Sequence, residues 1–508
     1  MLTPEESHEA NGLLEKPSDI NDRPRRRSLT SRLHLEDFHS SFKHSFAGLP
    51  SIPWREALRP KVWIGWDDKV PPRSTDTSWL DGLRGVASVQ VFFFHFFGRH
   101  AVWGHPWGST PDSYNVHQLT ILRPIWAGGS GAVSVFFVIS GYALTYKSLV
   151  LMRRKQWDEL YNGLCSSLFR RGFRLYLPIV ILAIPTLFLI RWVDMTGGFV
   201  YDTEIEDTLG LQFLHFLNKT DEHINPFAYK DNREGMNRYA YVPTSWTIPM
   251  EYYGSIVTYL MVMLIARLPS FRLRAGITAF MTFYSLHQGS WFTSNFIFGL
   301  LIADWNLEQS TQEQAKQQQD DLETIPSPKS YWRYLQYIRS FFFVLCFVAG
   351  YYISGMPPHS IPFDFAPVPH VGYEFLYKMF PPVWLFRIIE DSRWWWYWCG
   401  NFMFLGVSQV PTLKRIFETK FCHWLGKISF ALYLVHALVI ALLGPSVEAV
   451  TKSIGSNLFW LCASEFVLLT PVIIVLSVFV ERWIDRPSVK FAKWLEIYCL
   501  NMGKETFM

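Results

Sequence analysis

Residues 173–193 read FRLYLPIVILAIPTLFLIRWV. No charged side chain falls between Arg174 and Arg191, and the sixteen residues between them form about 24 Å of uncharged helix at 1.5 Å per residue. With its flanks the stretch reaches the length that crosses a bilayer. Similar apolar stretches occur at about 80–98, 131–150, 248–267, 273–287, 289–305, 335–355, 395–411, 424–444 and 458–483. The pattern predicts an all-α fold, a polytopic membrane bundle of about ten transmembrane helices. The fifth and sixth stretches are short and almost continuous, so a re-entrant pair is an alternative there.

The rest of the chain fits this reading. Hydrophobic residues make up 49% of the 508 and arrive in blocks, and the net charge of +4 suggests no nucleic-acid partner. The six cysteines form no CxxC pair, so neither a disulfide framework nor a metal site is expected. Residues 1–75 are polar, include Arg25-Arg26-Arg27 before Ser28, and read as a disordered basic tail retained in the cytosol. The membrane domain then covers 76–490, with a flexible cytosolic loop over 306–334 containing QEQAKQQQDD, and 491–508 form a cytosolic tail. Arg153, Arg154, Lys155, Arg170, Arg171, Arg174, Arg267, Arg272, Arg274, Lys414, Arg415 and Lys420 fall on the side of both termini. The acidic stretch 195–247 falls on the other, with the sequon Asn218-Lys219-Thr220 as a glycosylation site. No internal repeat is visible, which weakens a transporter of inverted halves, the rival reading from another functional class.

Ionisable residues inside apolar stretches are costly and point to function. The first stretch carries Asp81 and Arg84 near its start and His95 within a run of phenylalanines. Eleven residues separate Arg84 from His95, so both project from one helix face, about 16 Å apart along the axis. A desolvated neutral imidazole can take a proton from a hydroxyl; it can equally serve as a packing histidine. Glu251, in Ser245-Trp246-Thr247-Ile248-Pro249-Met250-Glu251, sits just inside the non-cytosolic interface, as an orienting carboxylate or an acid reaching for water. Arg170, Arg171 and Arg174 cluster at the cytosolic entrance of the third stretch, where they signal topology or hold the phosphates of a nucleotide. Ser140, in a helix of small residues, and Tyr433 and His436, which share a polar face with Ser429, are candidate lining residues.

Five blocks together resemble the acyltransferase-3 family of integral-membrane O-acyltransferases. They are Trp79 to Gly85 with His95, Phe136 to Tyr142, Arg170 to Pro178, Ser245 to Glu251 and Gly426 to His436, within a match of about 79–490. The resemblance implies transfer of acetyl or another short acyl group from acyl-CoA, the co-substrate, to the hydroxyl of a small-molecule alcohol, with a glycan or lipid acceptor as the alternative. It makes His95 the catalytic histidine, Arg84 its partner in the same helix, and Arg170, Arg171 and Arg174 the residues facing the CoA phosphates. Three positions depart from the family pattern: Ser134 stands where many members carry an acid, Gly254-Ser255 replace an aromatic pair, and Asp485-Arg486-Pro487 replace a Glu before the last proline block. The pattern is most similar to the fungal branch, which implies a natural-product acceptor and an endoplasmic reticulum or other endomembrane location. In a second family of membrane O-acyltransferases the key histidine lies in the C-terminal half, and His436 would then replace His95.

Overall fold

The computed structural model describes residues 64, 66, 76–100, 105–111, 113–192, 205–225, 239–322, 329–357, 371–382, 385–387, 391–454 and 457–506. Apart from Ile64 and Trp66, the basic N-terminal tail with Arg25 to Ser28 lies outside the described residues. The described residues hold helices and no strand, in keeping with the all-α expectation. Twelve helices matter below: α1 Ser78–Gly98, α2 Gly129–Arg153, α3 Trp157–Trp192, α4 Leu209–Ile224, α5 Ile248–Ile265, α6 Phe271–His287, α7 Trp291–Leu322, α8 Lys329–Ser354, α9 Asp391–Gln409, α10 Lys420–Ile454, α11 Leu458–Val480 and α12 Arg486–Thr506.

Each apolar stretch falls on a helix, but among the described residues six helical segments, rather than ten, are long and apolar enough to cross a membrane by length and composition. They are Gly129–Arg153, Trp157–Trp192, Pro243–Ile265, Gln336–Ser354, Lys420–Ser453 and Leu458–Met502. The remaining stretches are shorter or more polar. Helix α6 has 17 residues, and α1 carries Asp81, Arg84, Gln90 and His95.

Helix α1 packs chiefly between α10 and α2, while α2 packs against α7 and α9. Between helices in lipid, apolar burial drives little, and close backbone approach at small residues supplies the packing. A Cβ on Gly85 would strike the backbone of Leu425 and Gly426, and one on Gly426 would strike the Asp81 carbonyl. These contacts lock the first turns of α1 and α10 together. Two ionic clusters hold the helix ends. Asp304 accepts Arg274 at 2.8 and 3.2 Å and Arg153 at 2.8 Å, joining α2, α6 and α7. Beyond the other end of α1, Arg99 pairs with Glu448 at 2.6 Å and His100 with the fully buried Glu465 of α11 at 3.0 Å.

One segment departs from the sequence expectation. Residues 306–322 of the expected flexible loop continue α7 as helix. The run holds six Gln and two Glu, good helix formers that need no buried face, and Gln312 bonds Glu308 one turn back. Helix α12 covers residues 491–506 of the C-terminal tail and packs against α3, where Glu496 pairs with Arg170 at 3.1 Å.

Candidate active site

A cavity of about 320 Å³ opens where α1, α2, α3, α5 and α10 converge. Its walls carry the ionisable Arg84, Arg171, Arg174, Glu251, Lys427 and Asp485 together with Phe136, Ser140, Thr247, Ser429 and Tyr433. A second cavity of about 240 Å³ shares Arg84, Ile139 and Ala143 with the first and adds Asp81 and Lys147.

The ionic core is built from three helices. Arg171 of α3 lies 3.1 Å from Glu251 and donates to Ser255 at 2.9 Å, while Ser140 of α2 donates to Glu251 at 3.3 Å. The sequence reading put Arg171 and Glu251 at opposite faces of the membrane, so their contact corrects it. Helix α3 has 36 residues, about 54 Å at 1.5 Å each, and Arg171 sits about 21 Å from its start, well inside the bundle. The pair is nearly buried, with 11% and 12% of the two side chains exposed. A buried ion pair keeps a carboxylate charged where one alone would be expensive.

Arg84 donates to the Gly426 carbonyl at 3.0 Å and pairs with Asp81 at 3.2 Å. Its Nε is buried with no hydrogen-bond partner among the described residues. Arg174 is exposed at the cavity wall. Arg170 stands apart, outside the cavity lining and paired with Glu496 on α12. Lys427, Thr247 and Asp485 line the cavity but received no role from sequence. Lys427 and Thr247 lie inside blocks already singled out, one residue after Gly426 and four before Glu251, so spacing on their helices could have flagged them.

At the inner end, Tyr433 and Thr247 share one hydrogen bond of 2.8 Å, and both side chains are buried. Two hydroxyls carry two donor hydrogens, and one shared bond uses one, leaving an O–H available at the cavity wall. Behind Tyr433 stands His436, with ring centroids 6.3 Å apart, and behind it His95 at 5.2 Å. His436 is fully buried, and its Nδ1 lies 2.8 Å from the Leu432 carbonyl. A carbonyl only accepts, so Nδ1 carries the hydrogen and Nε2 presents a lone pair. His95 is half-buried and is not part of the cavity lining; it faces α10 one layer beyond. The structure therefore groups Arg84, Ser140, Arg171, Arg174, Glu251 and Tyr433 around one space, with His436 and then His95, their rings tilted by 42°, behind Tyr433.

Asn218 lies elsewhere, exposed on α4. The Thr220 hydroxyl of its sequon is buried and bonded to Tyr239 at 2.6 Å. Tyr239 also stacks on His223 at 4.7 Å, and His223 bonds Ser245 at 3.1 Å, two residues before Thr247. Burial pushes the His223 imidazole down to about 3.

A family model described as an acyltransferase domain matches residues 77–482. The chain is 29% identical over 455 residues to O-acetyltransferase PaAT-1 of Phomopsis amygdali, covering 82% of this chain and 84% of that protein. It is 22% identical to acyltransferase R4 of a Phoma species, over 74% of this chain and 84% of the other. Acyltransferase clz18 of Cochliobolus lunatus is 23% identical, over 74% and 85%. No solved structure matches the chain.

Proposed function

Because the chain belongs to the acyltransferase-3 family, we propose that it moves a short acyl group, acetyl first, from acyl-CoA to a hydroxyl of a small lipophilic alcohol. One observation carries this: a single cavity whose wall carries Arg84, Arg171, Arg174 and Lys427 together with the paired hydroxyls of Thr247 and Tyr433, with His436 and His95 following Tyr433 in turn. From Arg84 to His95 the rise is about 16 Å, within reach of a pantetheine arm of about 20 Å.

The residues divide the work. Arg171 is committed to Glu251 and Ser255, so the phosphates fall to Arg174 and Lys427 at the wall, with Arg84 below them. The smaller cavity beside Arg84, with Lys147, extends the space available to the nucleotide. The thioester carbonyl then lies at Tyr433 and Thr247, whose spare O–H stabilises the oxyanion that develops during attack. His95 takes the proton of the acceptor hydroxyl as the new C–O bond forms. The C–S bond breaks as the tetrahedral intermediate collapses, and the proton passes to the departing thiolate. His436, its Nδ1 hydrogen held by Leu432, offers Nε2 as an acceptor that steadies the His95 imidazolium.

A specific observation favours a second assignment of the base. His436 stands nearer the cavity than His95, and its Nε2 has no hydrogen-bond partner among the described residues. In that version the two imidazoles exchange roles and the reaction is unchanged. We place the cationic mouth on the cytosolic side of an endomembrane, with both termini on that side, and a natural-product alcohol as acceptor.

Extracts of a strain with and without this gene, grown on isotopically labelled acetate and compared by mass spectrometry, test the reaction. A product heavier than its precursor by one labelled acyl group, present only with the gene, is the expected result. Identical extracts, or a difference that is not an acyl group, would remove the proposal.

A further inference from the structure

Helix α4 is built with its polarity inverted. Gln212, Phe216, Thr220 and His223 recur at helical spacing and form its buried face. Three of these four are polar, and all three are satisfied inside the protein: Gln212 bonds the Tyr241 hydroxyl at 3.0 Å, Thr220 bonds Tyr239, and His223 bonds Ser245. Leu211, Leu214 and Leu217 point away from this buried face and Leu209 and Phe213 flank it, each exposed by 46–53%. A helix on a water-facing surface places these two sets the other way round.

The neighbouring surface has the same character. Helix α3, a candidate membrane span, exposes Ile181, Ile184, Phe188 and Trp192 along its outer side. Arg191, in its last turn, donates to the Glu206 carbonyl at 2.7 Å, three residues before α4 begins. At its far end α4 reaches Ser245, just before α5. It therefore runs between the end of one span and the start of the next, at the level where a bilayer meets water. The charged Lys219, Asp221 and Glu222 are confined to its last two turns.

We infer that α4 lies in the surface of the bilayer, its outer face among lipid acyl chains and its C-terminal turns in the headgroup layer. The occupant of this face is lipid, and the apolar surface is continuous with that of α3. Amphipathic helices of this kind bury their apolar side about 5–10 Å into the headgroup boundary. Asn218, four residues beyond Leu214 on the outward side, then sits against the membrane, where a glycan has no room.

The unaltered full-length chain in phosphatidylcholine vesicles tests this without a variant. One sample is irradiated with a membrane-restricted diazirine, the other exposed to hydroxyl radicals, and adducts are mapped by mass spectrometry. The expected result is diazirine adducts on Leu209, Phe213, Leu214 and Leu217 at yields comparable with Ile184 and Phe188 of α3, with little oxidation of Phe213. Oxidised, diazirine-free α4 beside a labelled α3 would place the face in water. Absence of both labels would mean that protein covers it. Either result overturns the inference, as would a mass loss at Asn218 on glycosidase treatment.

Discussion

The two ends of α1 both carry charge inside a membrane protein, yet they are built for different ends. At the Arg84 end, charges surround open space: Arg84, Arg174 and Lys427 stand at a cavity wall. At the Arg99 end, charges close on one another, with Glu465 fully buried and Arg99 and His100 only 6% and 7% exposed. Intramembrane charge alone marks both as candidate sites. What separates them is room: a ligand fits between the first set, whereas the second set clamps α1 to α10 and α11.

Substitutions sharpen the contrast. At the open end His95→Ala should lower turnover by about 10²–10⁴, the usual worth of general-base catalysis, with the protein still folded and inserted. Full activity in that variant together with loss in His436→Ala would transfer the base to α10. Tyr433→Phe removes one hydroxyl of the pair at the inner end and should lower kcat by about 10²–10³, with KM for acyl-CoA little changed. An equal loss in KM alone would mean that the hydroxyl only shapes the cavity.

At the closed end Glu465→Leu strips His100 of its partner and should cost about 3–5 kcal/mol of stability. Acyl-CoA affinity should stay as it was, because nothing in this cluster touches the cavity. A stable Glu465→Leu protein that no longer binds acyl-CoA would erase the distinction between the two ends.

His223 offers a milder probe on α4. Its folded-state value, about 3, lies below the ordinary imidazole value. The unfolded chain therefore binds a proton below about pH 6.5 that the folded chain refuses, and stability falls with pH between about 6.5 and 3. The slope from this group approaches 1.4 kcal/mol per pH unit. Thermal melts of the chain and of His223→Gln against pH should converge above pH 7 and diverge below pH 6, the variant losing less.

Much of this arrangement was legible in the sequence, and the exceptions have physical causes. Helical spacing alone put Arg84 and His95 on one face, and Ser429, Tyr433 and His436 on another, because 3.6-residue periodicity is local. Which helices face each other is not local. Glu251 met Arg171 only because α3 is long enough to carry its arginines deep into the bundle, which no count of apolar residues reveals. Arg170, one residue from Arg171, points about 100° away and is taken by Glu496 on α12. The stretch 306–322 read as a loop because it lacks apolar periodicity, a signal that reports burial rather than helicity. Helix α4 escaped notice for the opposite reason: most of its apolar residues are exposed, and the polar ones that face inward find partners 19 to 29 residues away.

The central claim is that the cationic mouth receives acyl-CoA. It is tested most directly by titrating the purified chain with a thioether analogue of acetyl-CoA, which binds without reacting, and repeating the titration with the Arg174→Gln, Lys427→Gln double variant. Two exposed phosphate contacts of about 0.5–1 kcal/mol each predict about a tenfold weaker Kd for the variant, with the difference shrinking as salt is raised. Identical affinity in a correctly inserted variant, at low and high salt alike, would contradict the account.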